Sequence, residues 1–225
     1  SVAAICGRPA PTRQRLMLTE EELRTVLPRL SFVGPDNALA VKILLATCPR
    51  IGELARAKWE DIDFSLTVWH VTTANSKTGR GYTIPLAPAV AAWFRELETL
   101  ACGSIYVLPA RQQRRTKNHE GDTYFEQRAL NSMLHKFFDS LEASGETIRR
   151  FTPHDLRSTA RSWLTSDQIG AEVHIAERCL NHAIGGIAAV YDKHDYLTER
   201  REVLEKWTRV LLAFEAGKSL ETIAT

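Results

Sequence analysis

The 225-residue sequence has little of what marks membrane, secreted or metal-scaffolded proteins. No apolar run approaches the length of a bilayer span, and no signal-peptide pattern opens the sequence, so neither a membrane partner nor a secretory route is expected. Its four cysteines, Cys6, Cys48, Cys102 and Cys179, are scattered and form no CxxC pair. That excludes a disulfide framework and makes a reducing, cytoplasmic setting the simplest expectation. Cys179 and His182 make a lone C-x-x-H without the second ligand pair that zinc needs, so no metal is expected. Charge of one sign is also scarce: the net is only +2, too weak in bulk to indicate a nucleic-acid partner. Internal repeats and low-complexity segments are absent. What is left is ordinary globular composition, 44% hydrophobic and 25% charged, in a chain long enough to bury a substantial core.

Where the charges sit says more than their sum. Before Glu20 the only charged residues are Arg8, Arg13 and Arg15, and "ARQQRRTKNHE" brings Arg111, Arg114, Arg115 and Lys117 together. Either patch alone reads equally well as solvated loop arginines; two in one chain favour contacts to DNA phosphates.

Residues 1–17 lack periodicity and read as a linker or arm, with one main domain over 18–225. "TEEE" sets Thr19 three residues before Glu22, a capping box that starts a helix. The apolar run "ALAVKILLAT" is a second helix, broken by Pro49, before "RIGELARAKWEDID" resumes a helical pattern; Arg50 thus falls in a turn between helices. "LTVWHVTTANSKTGRGYTIPL" changes to strand chemistry around a polar centre and predicts a β-hairpin with Lys77 near its turn. Helices follow over "AVAAWFRELETLA" and "FEQRALNSMLHKFFDSLEA", with a glycine-flanked basic loop between them. Thr152 and Pro153 open another as N-cap and first helical residue. Val203, Trp207, Val210, Leu211 and Phe214 form an apolar stripe near the C-terminus, suited to the core or to a neighbouring protomer. The expected class is α+β, mainly helical with one small antiparallel sheet.

In "TPHDLR", His154 lies in the first helical turn and Arg157 three residues on, on the same face. A helix N-terminus already attracts anions, so an imidazole and a guanidinium there suit a phosphate. Taken alone, the pair reads as two surface residues on a well-capped helix.

With Arg50, Lys77, His182 and a tyrosine added, the sequence resembles the catalytic domain of the tyrosine recombinases, particularly the integrases of phages and genomic islands. Four stretches carry the likeness in order: "TCPRIGEL", "SKTGRGYTIPL", "TPHDLRSTARSWL" and "LNHAIGGIAAVYDKHDY". The resemblance implies that Arg50, supported by Glu53, and Arg157 are the catalytic arginines and Lys77 the hairpin lysine. It implies that His154 begins the H-x-x-R pair and that His182 holds a position given to histidine or tryptophan in relatives. Tyr191, nine residues beyond His182, matches the nucleophile, and Tyr196 falls outside that spacing. Cys48 departs from the pattern, standing where relatives commonly have glycine. The family's helical DNA-clamping domain has no counterpart before Leu18, so the chain is expected to be the catalytic part of a larger protein.

The chemistry supports these residue types independently. Two arginines can neutralise the oxygens of a phosphodiester as charge builds, which removes the need for a metal or other cofactor. A tyrosine with a pKa near 10 is only about a thousandth ionised at neutral pH, so it needs a proton acceptor, and His154 is the candidate. Lys77 suits proton delivery to the departing 5′ oxygen. The expectation is a site-specific recombinase of a prophage or genomic island, working on double-stranded DNA attachment sites as a homotetramer, with the isolated fragment monomeric. The alternatives are a type IB topoisomerase-like enzyme, a DNA-binding relative with an idle pocket, and a helical interaction protein whose motif matches are chance. Tyr191 is either a packing residue with Ile187 and Val190 or, beyond the bend at Gly185 and Gly186, the nucleophile.

Overall fold

The computed structural model describes residues 15–110, 121–182 and 194–223. In chain order the elements are α1 (Glu20–Arg29), α2 (Pro35–Thr47), α3 (Ile51–Ala55), β1 (Ile62–Asp63), β2 (Val68–Val71) and β3 (Tyr82–Pro85). They continue with α4 (Pro88–Leu100), α5 (Gln127–Ala143), α6 (Pro153–Leu164), α7 (Val173–Cys179), α8 (Leu197–Glu215) and the short α9 (Leu220–Ile223). This is the expected α+β architecture.

Local chemistry explains most of the boundaries. The Thr19 hydroxyl accepts the Glu22 N–H, and the Glu22 carboxylate accepts the Thr19 N–H at 2.8 Å, closing the capping box of α1. Pro88 and Pro153 each stand at the start of a helix, where a missing N–H costs nothing. The predicted hairpin forms as β2 against β3, with Val68 opposite Pro85 and Val71 opposite Tyr82, and β1 adds a third antiparallel strand. One expectation fails. The helix predicted through "RIGELARAKWEDID" stops at Ala55, because the next backbone groups pair with a distant segment. Ala57 accepts from the Val107 N–H, and the Trp59 N–H donates to Ile105. Long-range pairing there overrides a locally helical pattern.

α2 is buried around most of its circumference and packs against α4, α6 and α8, so it is the central helix. The sheet leans on α4 through Trp69, edge-on to Phe94 at 5.9 Å. α8 closes the core from the C-terminal side. Leu204, Trp207, Val210, Leu211 and Phe214 are buried there, with Val203 packed against them. Trp207 stacks on Trp163 at 5.6 Å and donates to the Leu45 carbonyl at 2.8 Å, fastening α8 to α6 and α2 at once. The apolar stripe therefore serves this chain's own core. No helix among the described residues is long and apolar enough to cross a membrane.

Residues 15–17, the described end of the expected arm, and Leu18, the expected first residue of the domain, run along α6. The Leu16 N–H donates to the Asp155 carboxylate (3.2 Å) and the Leu18 N–H to the Thr159 hydroxyl (3.0 Å), while the Leu18 carbonyl accepts from Trp163 (3.0 Å).

Candidate functional site

Arg157 organises the site. It lies on α6 and is only 4% exposed; its guanidinium donates to the carbonyls of Cys48, at the end of α2, and Leu180, just beyond α7. Those carbonyls have no partner from their own helices, so each has a lone pair to offer a buried cation. Arg50 follows Cys48 by two residues and His182 follows Leu180 by two. By clasping two helix ends, Arg157 holds the segments that carry two further candidate residues.

Arg50 enters from a sharp reversal. Cys48 adopts the left-handed conformation (φ 58°), Pro49 follows, and Arg50 then begins α3 in an extended conformation. Left-handed backbone strains any residue with a Cβ, which is a physical reason for the glycine that the resemblance led us to expect where Cys48 stands. Glu53, 1% exposed, accepts the Arg50 N–H at 2.8 Å and the Arg50 guanidinium at 3.1 Å, and its second partner side chain is Tyr82, whose hydroxyl donates at 2.8 Å. A buried carboxylate survives only with such donors. Burial, then the adjacent Glu53 charge, drives the Tyr82 phenol far above its ordinary range and keeps it a donor.

Arg50 and Arg157 are close enough for their charges to oppose each other. Burial, then the neighbouring Arg50 cation, lowers the Arg157 pKa from its ordinary value, and Cys48, Tyr82 and Glu53 only partly offset them. A guanidinium does not release its proton in a protein, so an anion bound between the two would relieve the repulsion.

His154 is exposed on the first turn of α6. Partial burial, then the Arg15 and Arg157 cations, push its pKa below 6.5, so the ring is neutral and able to accept a proton at neutral pH. The helix start is held by Asp155, whose carboxylate accepts both the N–H (2.8 Å) and the hydroxyl (2.7 Å) of Thr152. His182, half-buried, pairs through Nδ1 with the Glu177 carboxylate at 2.5 Å. Asn181, immediately before it, takes a left-handed turn (φ 49°), a conformation that asparagine tolerates better than most residues.

Lys77 stands exposed in the β2–β3 connection. The base of that connection is tied to the site by Asn75, whose amide donates to the Glu53 carbonyl at 2.8 Å. Tyr191 and the basic cluster Arg111, Arg114, Arg115 and Lys117 lie outside the described residues. The flanks of the tyrosine-bearing segment are held on both sides. Leu180 is clasped by Arg157, and Arg200 on α8 donates to the Asp195 carbonyl (2.9 Å), the Asp195 carboxylate (2.6 Å) and the Thr83 carbonyl of β3 (2.8 Å). Tyr196 begins α8 with its ring edge-on to His174 and His194.

Reading the sequence alone missed Tyr82, Asn75 and Glu177, and it named Arg15 only as one of a basic patch, not as a neighbour of His154. Only Asn75, two residues from Lys77, carried a positional hint; the others acquire meaning from contacts to distant residues.

The chain matches the phage integrase family over residues 17–197. It is 26% identical over 180 residues to the prophage integrase IntA of Escherichia coli strain K12, a match that takes in 79% of this chain and 39% of that relative. The chain thus spans about two fifths of the curated relative's length. Among solved structures it is similar to the Tn1549 transposon integrase in complex with a circular intermediate DNA, with a TM-score of 0.63 at 18% identity over 81% of this chain and 67% of that one. It is also similar to a lambda integrase dimer bound to a core site (TM-score 0.58, 22% identity, 86% of this chain and 52% of that one). A third likeness is to XerA recombinase (TM-score 0.57, 18% identity, 80% and 59%). At these identities the structural likeness is one of fold. The family match extends over most of the chain and takes in every element of the site, and on that ground the protein belongs to the phage integrase family.

Proposed function

We propose that this chain is the catalytic part of a site-specific recombinase that cuts and rejoins double-stranded DNA through a 3′-phosphotyrosyl intermediate. The single observation that carries the reading is the Arg157 clasp, which fixes the segments bearing Arg50 and His182 to one buried guanidinium and sets the Arg50 cation near it, a pair suited to an anion. A scissile phosphate supplies that anion.

In the proposed reaction, Arg50 and Arg157 hold the non-bridging oxygens, Glu53 fixes Arg50, and His182 hydrogen-bonds the same phosphate. The Tyr191 oxygen attacks phosphorus while its proton passes to His154. The bond to the 5′ oxygen breaks, and that oxygen takes a proton from Lys77. The phosphotyrosyl bond retains the energy of the broken linkage, so attack by another 5′ hydroxyl reseals the strand without a nucleotide cofactor. Residues 18–225 are taken as the catalytic domain, Arg111, Arg114, Arg115 and Lys117 as backbone contacts, and the working assembly as a homotetramer on attachment sites in the cytoplasm. The family match and the prophage relative support integration or excision of a mobile element.

A nicked duplex spanning the junction of the mobile element and its target traps the covalent product. Tyr191→Phe abolishes attachment and Tyr196→Phe retains it; attachment that survives the first change overturns the assignment.

A further inference from the structure

Glu177 carries no role in the scheme above, yet its carboxylate is fully engaged. One oxygen accepts from the Arg161 guanidinium at 2.8 Å through Nε and 2.7 Å through a terminal nitrogen, and the other pairs with Nδ1 of His182 at 2.5 Å. The His182 N–H also donates to the Glu177 carbonyl at 3.0 Å, so backbone and side chain hold the same histidine. Glu177 and Arg161 belong to two helices, α7 and α6, that pack together, and α6 also bears His154 and Arg157.

We propose that Glu177, braced by Arg161, is a positioning residue that orients the His182 imidazole for the scissile phosphate. This rests on the reading that His182 contacts that phosphate. A carboxylate accepts hydrogen bonds and donates none, so Nδ1 must carry the proton in this pair. The opposite ring nitrogen, Nε2, has no partner among the described residues and is the atom left for substrate. A carboxylate so placed fixes both the tautomer and the plane of an imidazole, the same service such groups perform behind catalytic and metal-binding histidines. It also balances the positive charge that the ring carries when Nε2 donates to a phosphate oxygen. Glu177 is drawn toward the ionised state needed for this. Burial opposes ionisation, but the hydrogen bonds from His182 and Arg161 outweigh it and leave its pKa below 4.5. Arg161 keeps the carboxylate from swinging away, because its Nε and terminal nitrogen approach one oxygen and leave the other for His182.

Two measurements test this. Nitrogen-15 NMR of the histidine rings in the DNA-free chain reads the tautomer directly. His182 is expected in the Nδ1–H form when neutral, reverting to Nε2–H in Glu177→Ala. The second is the single-turnover rate of covalent attachment to the nicked junction duplex at saturating protein, alongside DNA affinity. Glu177→Ala is expected to slow attachment about tenfold with affinity unchanged, a loss typical of removing such an orienting partner. Glu177→Gln, similar in shape and still able to accept from Nδ1–H, is expected to recover part of the rate. In a His182→Ala background, Glu177→Ala should cost nothing more, because its effect passes through the ring. A full additional loss in that background, an Nε2–H tautomer in the unaltered chain, or an undiminished rate in Glu177→Ala while His182→Ala is slow would each overturn the proposal alone. An undiminished rate in His182→Ala would instead remove the phosphate contact on which it rests.

Discussion

Glu53 and Glu177 both hold a cation and a further donor next to the proposed phosphate site, at different depths. Glu53 is 1% exposed and satisfied by Arg50 and Tyr82; the Glu177 side chain is 23% exposed and satisfied by Arg161 and His182. A carboxylate sealed from water depends entirely on its partners, so its contacts are structural and catalytic together. One that keeps contact with water can lose a partner and be hydrated instead. The buried cluster should therefore fail in stability and in chemistry together, and the half-exposed one in chemistry alone.

The largest effect is expected from Glu53→Ala, which strands the Arg50 guanidinium and the Tyr82 hydroxyl. Urea denaturation should show a loss of about 3 kcal/mol, in the range for breaking a buried charged pair, with attachment to the nicked duplex nearly abolished. Tyr82→Phe sharpens the contrast by removing one donor while keeping the ring. It should cost about 1–2 kcal/mol, since a buried carboxylate oxygen is left short of a bond, and slow attachment several-fold. If Tyr82→Phe leaves stability unchanged, water reaches Glu53 and the two clusters do not differ in kind.

The smallest effect on stability concerns His154, which is exposed and belongs to neither carboxylate. Its pKa lies below 6.5, so the ring is neutral above that pH and becomes protonated as pH falls through the shifted value. A protonated ring cannot take the tyrosine proton. The attachment rate of the unaltered chain should be level near pH 7 and decline on the acid side of pH 6.5, whereas His154→Gln should be slow throughout with that decline flattened. A decline centred above pH 6.5 would break the assignment of His154 as the base.

Legibility in the sequence followed the range of the interactions involved. The N-cap signature before His154, the Pro49 break before Arg50 and the period change around Lys77 are set within a few residues, and each was found where the sequence placed it. The helix read through "RIGELARAKWEDID" was wrong beyond Ala55 because its backbone pairs with residues 105–107, about fifty positions away. Glu177 looked like any charged residue on a helix; its partner His182 lies five residues on, off the helical spacing, and Arg161 lies on another helix. Tyr82 read as strand chemistry, and nothing nearby announced that its hydroxyl would meet Glu53, twenty-nine positions earlier.

By itself, then, the sequence determined the helix starts, the hairpin, the apolar stripe that became core and the order of motifs that marks the family. Capping hydrogen bonds and side-chain periodicity act over three or four residues, so they can be read along a line. Only the tertiary structure decided that Arg157 would clasp Cys48, 109 residues away, and Leu180, 23 residues away. A buried guanidinium has to satisfy its donors wherever folding brings a free carbonyl, and here it finds them at two helix ends, two residues before Arg50 and two before His182.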